Sequence, residues 1–80
     1  MISDAKYIIW DDGLAECAIV FNNHLTHADM ALQLNINPIS AGFVKFDGNE
    51  IMAFGESVSL QLKSRQEDSR IIREILSPND

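Results

Sequence analysis

The chain is predicted to fold as an α+β domain of the pattern ββα-ββ(β)α, and three features of the sequence point there. Runs of β-branched and aromatic residues come in pairs, each pair separated by turn-forming residues. A segment with apolar residues at helical spacing follows the first pair and another closes the chain. Between the second pair and the last helix lies a stretch of strict polar–apolar alternation. Together these give a mainly antiparallel sheet of four to five strands, with two helices near residues 24–35 and 65–76 on one face. Strand–strand–helix occurs twice, as a repeat of pattern without a repeat of residues.

The elements follow in order. "KYIIWD" (6–11) reads as a strand, "DDG" as a turn, and "AECAIVF" (15–21) as its hairpin partner. In "LTHADMALQLN", Leu25, Ala28, Ala31 and Leu32 recur at helical spacing, with Asn22, Asn23 or Thr26 available as the cap. Pro38 disfavours helical geometry at Asn37 and ends that helix. "AGFVKF" (41–46), the turn "DGN" (47–49) and "EIMAFG" (50–55) form the second hairpin. In "SVSLQLK" (57–63), Val58, Leu60 and Leu62 alternate with polar residues, which predicts a further half-buried strand, with Gly55 marking a bend at its start. The final helix is expected to open on a capping box, Ser64-x-x-Glu67. It carries one apolar stripe of Ile71, Ile72, Ile75 and Leu76, with Arg73 near its C-terminal end, and closes at Pro78. Ile71, Ile75 and Leu76 are expected to pack on the sheet.

Eighty residues suit one small domain, 1–80, of slender stability. The apolar fraction of 46% exceeds that of disordered chains. No apolar run approaches the roughly 20 residues of a membrane-spanning helix, and "MISDAKYIIWDD" lacks the pattern of a signal peptide. A single cysteine, Cys17, cannot form an internal disulfide, which favours the cytoplasm for so small a domain. The formal net charge is −6, and it resides in residues 1–62, where eight acids face two lysines. Phosphate backbones repel such a body, so direct nucleic-acid binding is not expected. The acidity serves solubility first; an acidic surface that occupies a nucleic-acid site on another protein is the sharper alternative.

Chemistry-bearing constellations are sparse. His24 and His27 could share a helix face, but the further ligands a zinc ion needs are scattered, and no metal or other cofactor is expected. Cys17 lies inside a predicted strand beside Ile19 and Phe21, where a thiol is inert. Asp11 and Asp12 are hairpin-turn residues before they are an acid/base pair. The phosphate-loop, nucleophile-elbow, Cys-x-x-Cys and His-Glu-x-x-His motifs are absent, so no catalytic residues are assigned and the chain is not expected to be an enzyme. One cluster could recognise a small anion such as a nucleotide: Ser57, Ser59, Lys63, Ser64 and Arg65 combine hydroxyls, two cations and a predicted helix start within nine residues. Read structurally, the same residues are the outer side of a strand followed by a cap.

The segments "KYIIWDDGLAECAIVF", "HADMA", "AGFVKF" and "GESVSLQLKSRQEDSRIIREIL" resemble small phage and prophage proteins of proteobacteria that have no assigned function. The likeness runs from Lys6 to Leu76 and is most distinctive in the last segment. It implies a bacterial cytosolic setting and a viral accessory role, and it supplies no activity and no site residues. The expected function is a non-enzymatic protein-binding module acting on a host or phage protein. The alternatives are a binder of a small anionic ligand and a structural or assembly protein. A homodimer is also expected. Ile8 and Trp10 point opposite to Tyr7 and Ile9, and one layer of helices cannot cover both sets.

Overall fold

The computed structural model describes residues 4–48 and 50–76. Its elements in chain order are β1 (Ala5–Asp11), β2 (Glu16–Phe21), α1 (His27–Leu34), β3 (Pro38–Asp47), β4 (Glu50–Phe54), β5 (Glu56–Ser57), β6 (Leu62–Lys63) and α2 (Asp68–Leu76). The first four strands form one antiparallel sheet in the order β2-β1-β3-β4, and β5 and β6 form a separate small hairpin. The α+β fold read from the sequence is the fold observed.

The first hairpin owes its turn to two carboxylates. Asp11 Oδ1 accepts from the Gly13 N–H at 2.7 Å, and Asp12 Oδ1 accepts from Leu14 and Ala15 at 2.8 and 3.0 Å. Gly13 sits at φ +99°, where a side chain would be strained. The backbone donors, Leu14 first, hold the Asp12 carboxyl below its ordinary value. These are the local bonds that make Asp a turn residue. The turn "DGN" can be followed only to Gly48, because Asn49 lies outside the described residues, as does Pro78. Helix α1 is capped by Thr26, whose hydroxyl accepts from the Asp29 N–H at 3.0 Å, and it ends at Asn35 in the left-handed conformation.

The expectation that both helices lie on one face is overturned. Tyr7, Ile8 and Ile9 are successive residues of β1, and all three are 0% exposed. Successive strand residues point to opposite faces, so a strand buried in this way must be covered from both sides. One face of the sheet carries Tyr7, Ile9 and Val44, and α2 covers it through Ile72 and Ile71. The other carries Ile8, Phe21 and Ala41, and α1 covers it through Ala31 and Met30, with Leu60 and Leu62 of the β5–β6 hairpin beside them. The two-sided apolarity that led to the expectation of a homodimer is thus met within one chain.

Two further expectations are corrected. The stretch 55–65 is not one strand. Gly55 at φ +77° bends the chain out of β4, and Gln61 at φ +58° closes a turn in which the Gln61 N–H donates to the Val58 carbonyl at 3.2 Å. Alternation matched a strand only because a tight hairpin of two-residue strands also places Leu60 and Leu62 inward. In α2, Ile72 is the fully buried anchor, whereas Ile75 is 43% exposed and Leu76 is similarly open. The helix begins at Asp68, three residues later than the pattern suggested, so its sheet-facing row is Asp68 and Ile72.

Ile72→Ala is therefore expected to lower the unfolding free energy by ~2–5 kcal/mol, against less than ~1 kcal/mol for Ile75→Ala. Urea denaturation followed by circular dichroism compares the two. Equal losses would contradict this assignment of the anchor.

Candidate functional site

The β5–β6 hairpin stands over β3 between two recesses on the α1 side of the sheet. One is lined by Glu56, Ser57, Val58, Gln61, Leu62 and Lys63. The other, with Phe43 and His27 in its wall, also takes in Lys6, Thr26, Val58 and Ser59, so that Glu56 and Val58 belong to both. Serine hydroxyls tie the hairpin down. Ser57 is buried, and its Oγ accepts from the Leu60 N–H at 3.2 Å. Ser59 Oγ accepts from the Ala28 N–H at 3.2 Å, which satisfies a donor in the first turn of α1 and joins the hairpin to that helix. The turn between them leaves Val58 81% exposed.

His27 forms the rear wall of the second recess. It is buried, and its Nε2–H donates to the Gly42 carbonyl at 2.8 Å, an assignment required because a carbonyl only accepts. The Phe21 and Phe43 rings meet the imidazole edge-on with centroids at 5.7 Å each, and Phe54 extends the row. Burial holds the His27 pKa below its ordinary value. His24 stays exposed in the preceding turn, its backbone N–H donating to Asn22 Oδ1, so the two histidines do not converge. Among the described residues, no three His, Cys, Asp or Glu side chains are grouped to hold a metal ion. Cys17 is half-buried with its Sγ 3.4 Å from Asp12 Oδ2, and burial first, then Asp12, pushes its thiol pKa up. A thiol so placed is a poor nucleophile.

The structure divides the five residues proposed from the sequence. Ser57 and Lys63 line one recess and Ser59 the other. Lys63 stands opposite Glu56 in the β5–β6 pair. The backbone N–H of Ser64 donates to the Gly55 carbonyl at 3.0 Å. Ser64 does not open the final helix, and Arg65 turns to the opposite side of the sheet.

There Arg65 is held by carboxylates. Its Nη2 lies 2.8 Å from Glu16 Oε1 on β2, its Nε 2.9 Å from Asp68 Oδ1, and its Nη1 3.5 Å from Glu67. Asp68 is 0% exposed; its Oδ2 also accepts from the Tyr7 hydroxyl at 2.6 Å and from the Arg65 backbone N–H at 2.9 Å. The start of α2 is thus occupied by a carboxylate of its own, the charge that a helix N-terminus favours. Burial and the neighbouring Asp68 push the Tyr7 phenol strongly up, while the hydrogen bond from Arg65 holds Glu16 below its ordinary value. Sequence reasoning missed Asp68 altogether. The one available signal was Arg65-x-x-Asp68, a spacing that exposed helix faces share.

Comparison of the chain with protein-family models, with curated proteins and with solved structures returned no match.

Two measurements follow. Arg65→Ala leaves Asp68 buried without its cation and is expected to cost ~3–5 kcal/mol of stability, whereas Lys63→Ala should change it by less than ~0.5 kcal/mol. Chemical denaturation of both variants checks this. His27 has a lower pKa folded than its ordinary value of 6.5, so the unfolded chain binds the proton more readily. The penalty is absent above the unfolded pKa and grows as pH falls through it. The thermal midpoint should therefore fall more between about pH 7.5 and about pH 5.5 in the wild type than in His27→Gln. Parallel slopes would show that His27 does not carry this linkage.

Proposed function

We propose that the chain is a non-enzymatic protein-binding module that works through a protein partner, with a host factor of a phage-bearing bacterium as the first candidate. The surface that supports this reading is the flank formed by α1 and the β5–β6 hairpin. Val58 projects at the hairpin tip, and Leu32 of α1 is 80% exposed. Ala28, one turn before Leu32 on the helix, is the residue tied to Ser59. Between Val58 and the helix start lies the recess walled by Phe43 and His27. Large apolar side chains set at a concave surface with a polar rim are what a partner's anchor residue uses. The rim carries Lys6 and Glu56, so both signs of charge are present to orient a partner.

The observation that carries the proposal is Val58: an apolar side chain displayed at the tip of a hairpin whose serine hydroxyls bond it to its own turn and to α1. Val58→Asp and Leu32→Asp replace exposed side chains and should change stability by less than ~0.5 kcal/mol each. Affinity capture from a bacterial lysate with the wild-type chain, followed by mass spectrometry, should return a protein that the double variant does not. Capture of the same protein by both chains would place the binding surface elsewhere, and capture of none would remove the proposal.

A further inference from the structure

The two edges of the sheet are finished differently. In an antiparallel ladder, residues alternate between bonding one neighbour and pointing the N–H and C=O the other way. The Asp12 N–H donates to the Ala15 carbonyl at 3.1 Å, which sets the phase of the β1–β2 pair. Trp10↔Cys17, Ile8↔Ile19 and Lys6↔Phe21 are then the bonded pairs, and the N–H and C=O groups of Glu16, Ala18 and Val20 point away from β1. The same phase, carried through Tyr7↔Gly42 and Val44↔Ala53, turns the Ala53 N–H outward from β4. That donor is satisfied by Ser69 Oγ of α2 at 2.8 Å, which both verifies the phase and ties the β4 edge to α2 at Ala53. No described residue does the same for the outward groups of Ala18 and Val20.

We infer that β2 is an interface for a second copy of this chain, joining two four-stranded sheets into one antiparallel sheet of eight. The strand is its own complement. A two-fold axis perpendicular to the sheet at Ala18 sets Ala18 against the partner's Ala18 and Glu16 against the partner's Val20. This register pairs every outward group of Glu16, Ala18 and Val20, giving six backbone hydrogen bonds and leaving none unmet. It also keeps each face of the sheet continuous. On the α2 side Ala18 meets Ala18 and Val20 meets Glu16, while Cys17 and Ile19 meet each other on the α1 side. The small side chain at the axis permits the closest approach of the two strands.

Charge does not forbid the contact, although each copy has a net charge of −6. Glu16, the acid of β2, is paired within its own chain with Arg65, a cation it shares with Asp68 and Glu67, and the adjoining recess between β2 and α2 carries Arg70 as well as Glu74. Net repulsion remains between the bodies, so added salt should tighten the dimer. A single edge of six residues places the association among weak interfaces, observable at tens to hundreds of micromolar.

Sedimentation velocity of the full chain over about 5–500 μM, in low and high salt, tests this. A dimer strengthened by salt is expected; a monomer throughout overturns the inference. In Ala18→Pro the lost N–H is one that points away from β1, which an edge strand tolerates, and the ring blocks the axis. It should sediment as a monomer with a native spectrum, and a persisting native dimer would overturn the edge assignment. A second variant does not depend on whether Pro is tolerated. In Cys17→Ser/Ala18→Cys, directly opposed thiols at the axis should oxidise to a covalent dimer, since bonded antiparallel pairs and disulfides share a Cα separation of about 5.5 Å. A folded variant that stays monomeric under oxidation would equally overturn it. This result is independent of partner capture at Val58, which lies on the hairpin and not on β2.

Discussion

The constraint on which the rest of the structure depends is the burial of β1 on both faces. Tyr7, Ile8 and Ile9 are closed off from solvent in succession, so the chain must supply cover above and below one strand from only eighty residues. It does so by sending α1 across one side and α2 across the other. Burying Tyr7 brings a phenolic hydroxyl into the core, and an unpaired hydroxyl there would cost ~1–3 kcal/mol. Asp68 meets it, Arg65 meets Asp68, and Glu16 meets the far end of Arg65. A polar chain thus follows from one buried aromatic, and it fixes where α2 begins.

That logic explains how much of the molecule could be read from its sequence. Both long hairpins and the Asp-Asp-Gly turn were legible, and Thr26 was among three candidate caps, because each depends on neighbours within a few residues. Whether the helices share a face is a long-range matter. The unbroken apolar run of β1 already demanded two-sided cover, but the sequence does not say whether a second helix or a second chain provides it. The start of α2 was misplaced for a related reason. Ser64-x-x-Glu67 satisfies the local capping pattern, yet the partner that decides the boundary, Tyr7, is 61 residues from Asp68.

The candidate site shows the same division. Ser57, Ser59 and Lys63 all lie on the β5–β6 hairpin, with Ser57 buried instead of on the outer side that the alternation implied, whereas Arg65 crosses to the other side because three carboxylates await it there. A cation within the same eleven-residue stretch looks equivalent in sequence to Lys63, and only the location of Glu16 and Asp68 separates the two. Val58 was read as the buried side of a strand. Positive φ at Gln61, which non-glycine residues seldom adopt, converts that side into a hairpin tip. The sequence holds no simple sign of such a residue, and the exposed apolar tip was accordingly invisible until the turn was seen.

The bond between Tyr7 and Asp68 also has a temporal meaning. It joins residues 61 positions apart, so it lies across a loop containing β2, α1 and β3 to β6. Closing such a loop costs entropy that local contacts do not repay, and structures rich in distant pairings fold slowly. The β1–β2 hairpin can form on its own local contacts, but β1 remains open on its α2 side until residue 72 arrives. During synthesis the nascent chain therefore carries Tyr7 and Ile9 uncovered until α2 has left the ribosome and shuts them in. A chain stalled before α2 would expose the apolar row of Tyr7, Ile9 and Val44, giving chaperones and proteases a built-in mark of incompleteness.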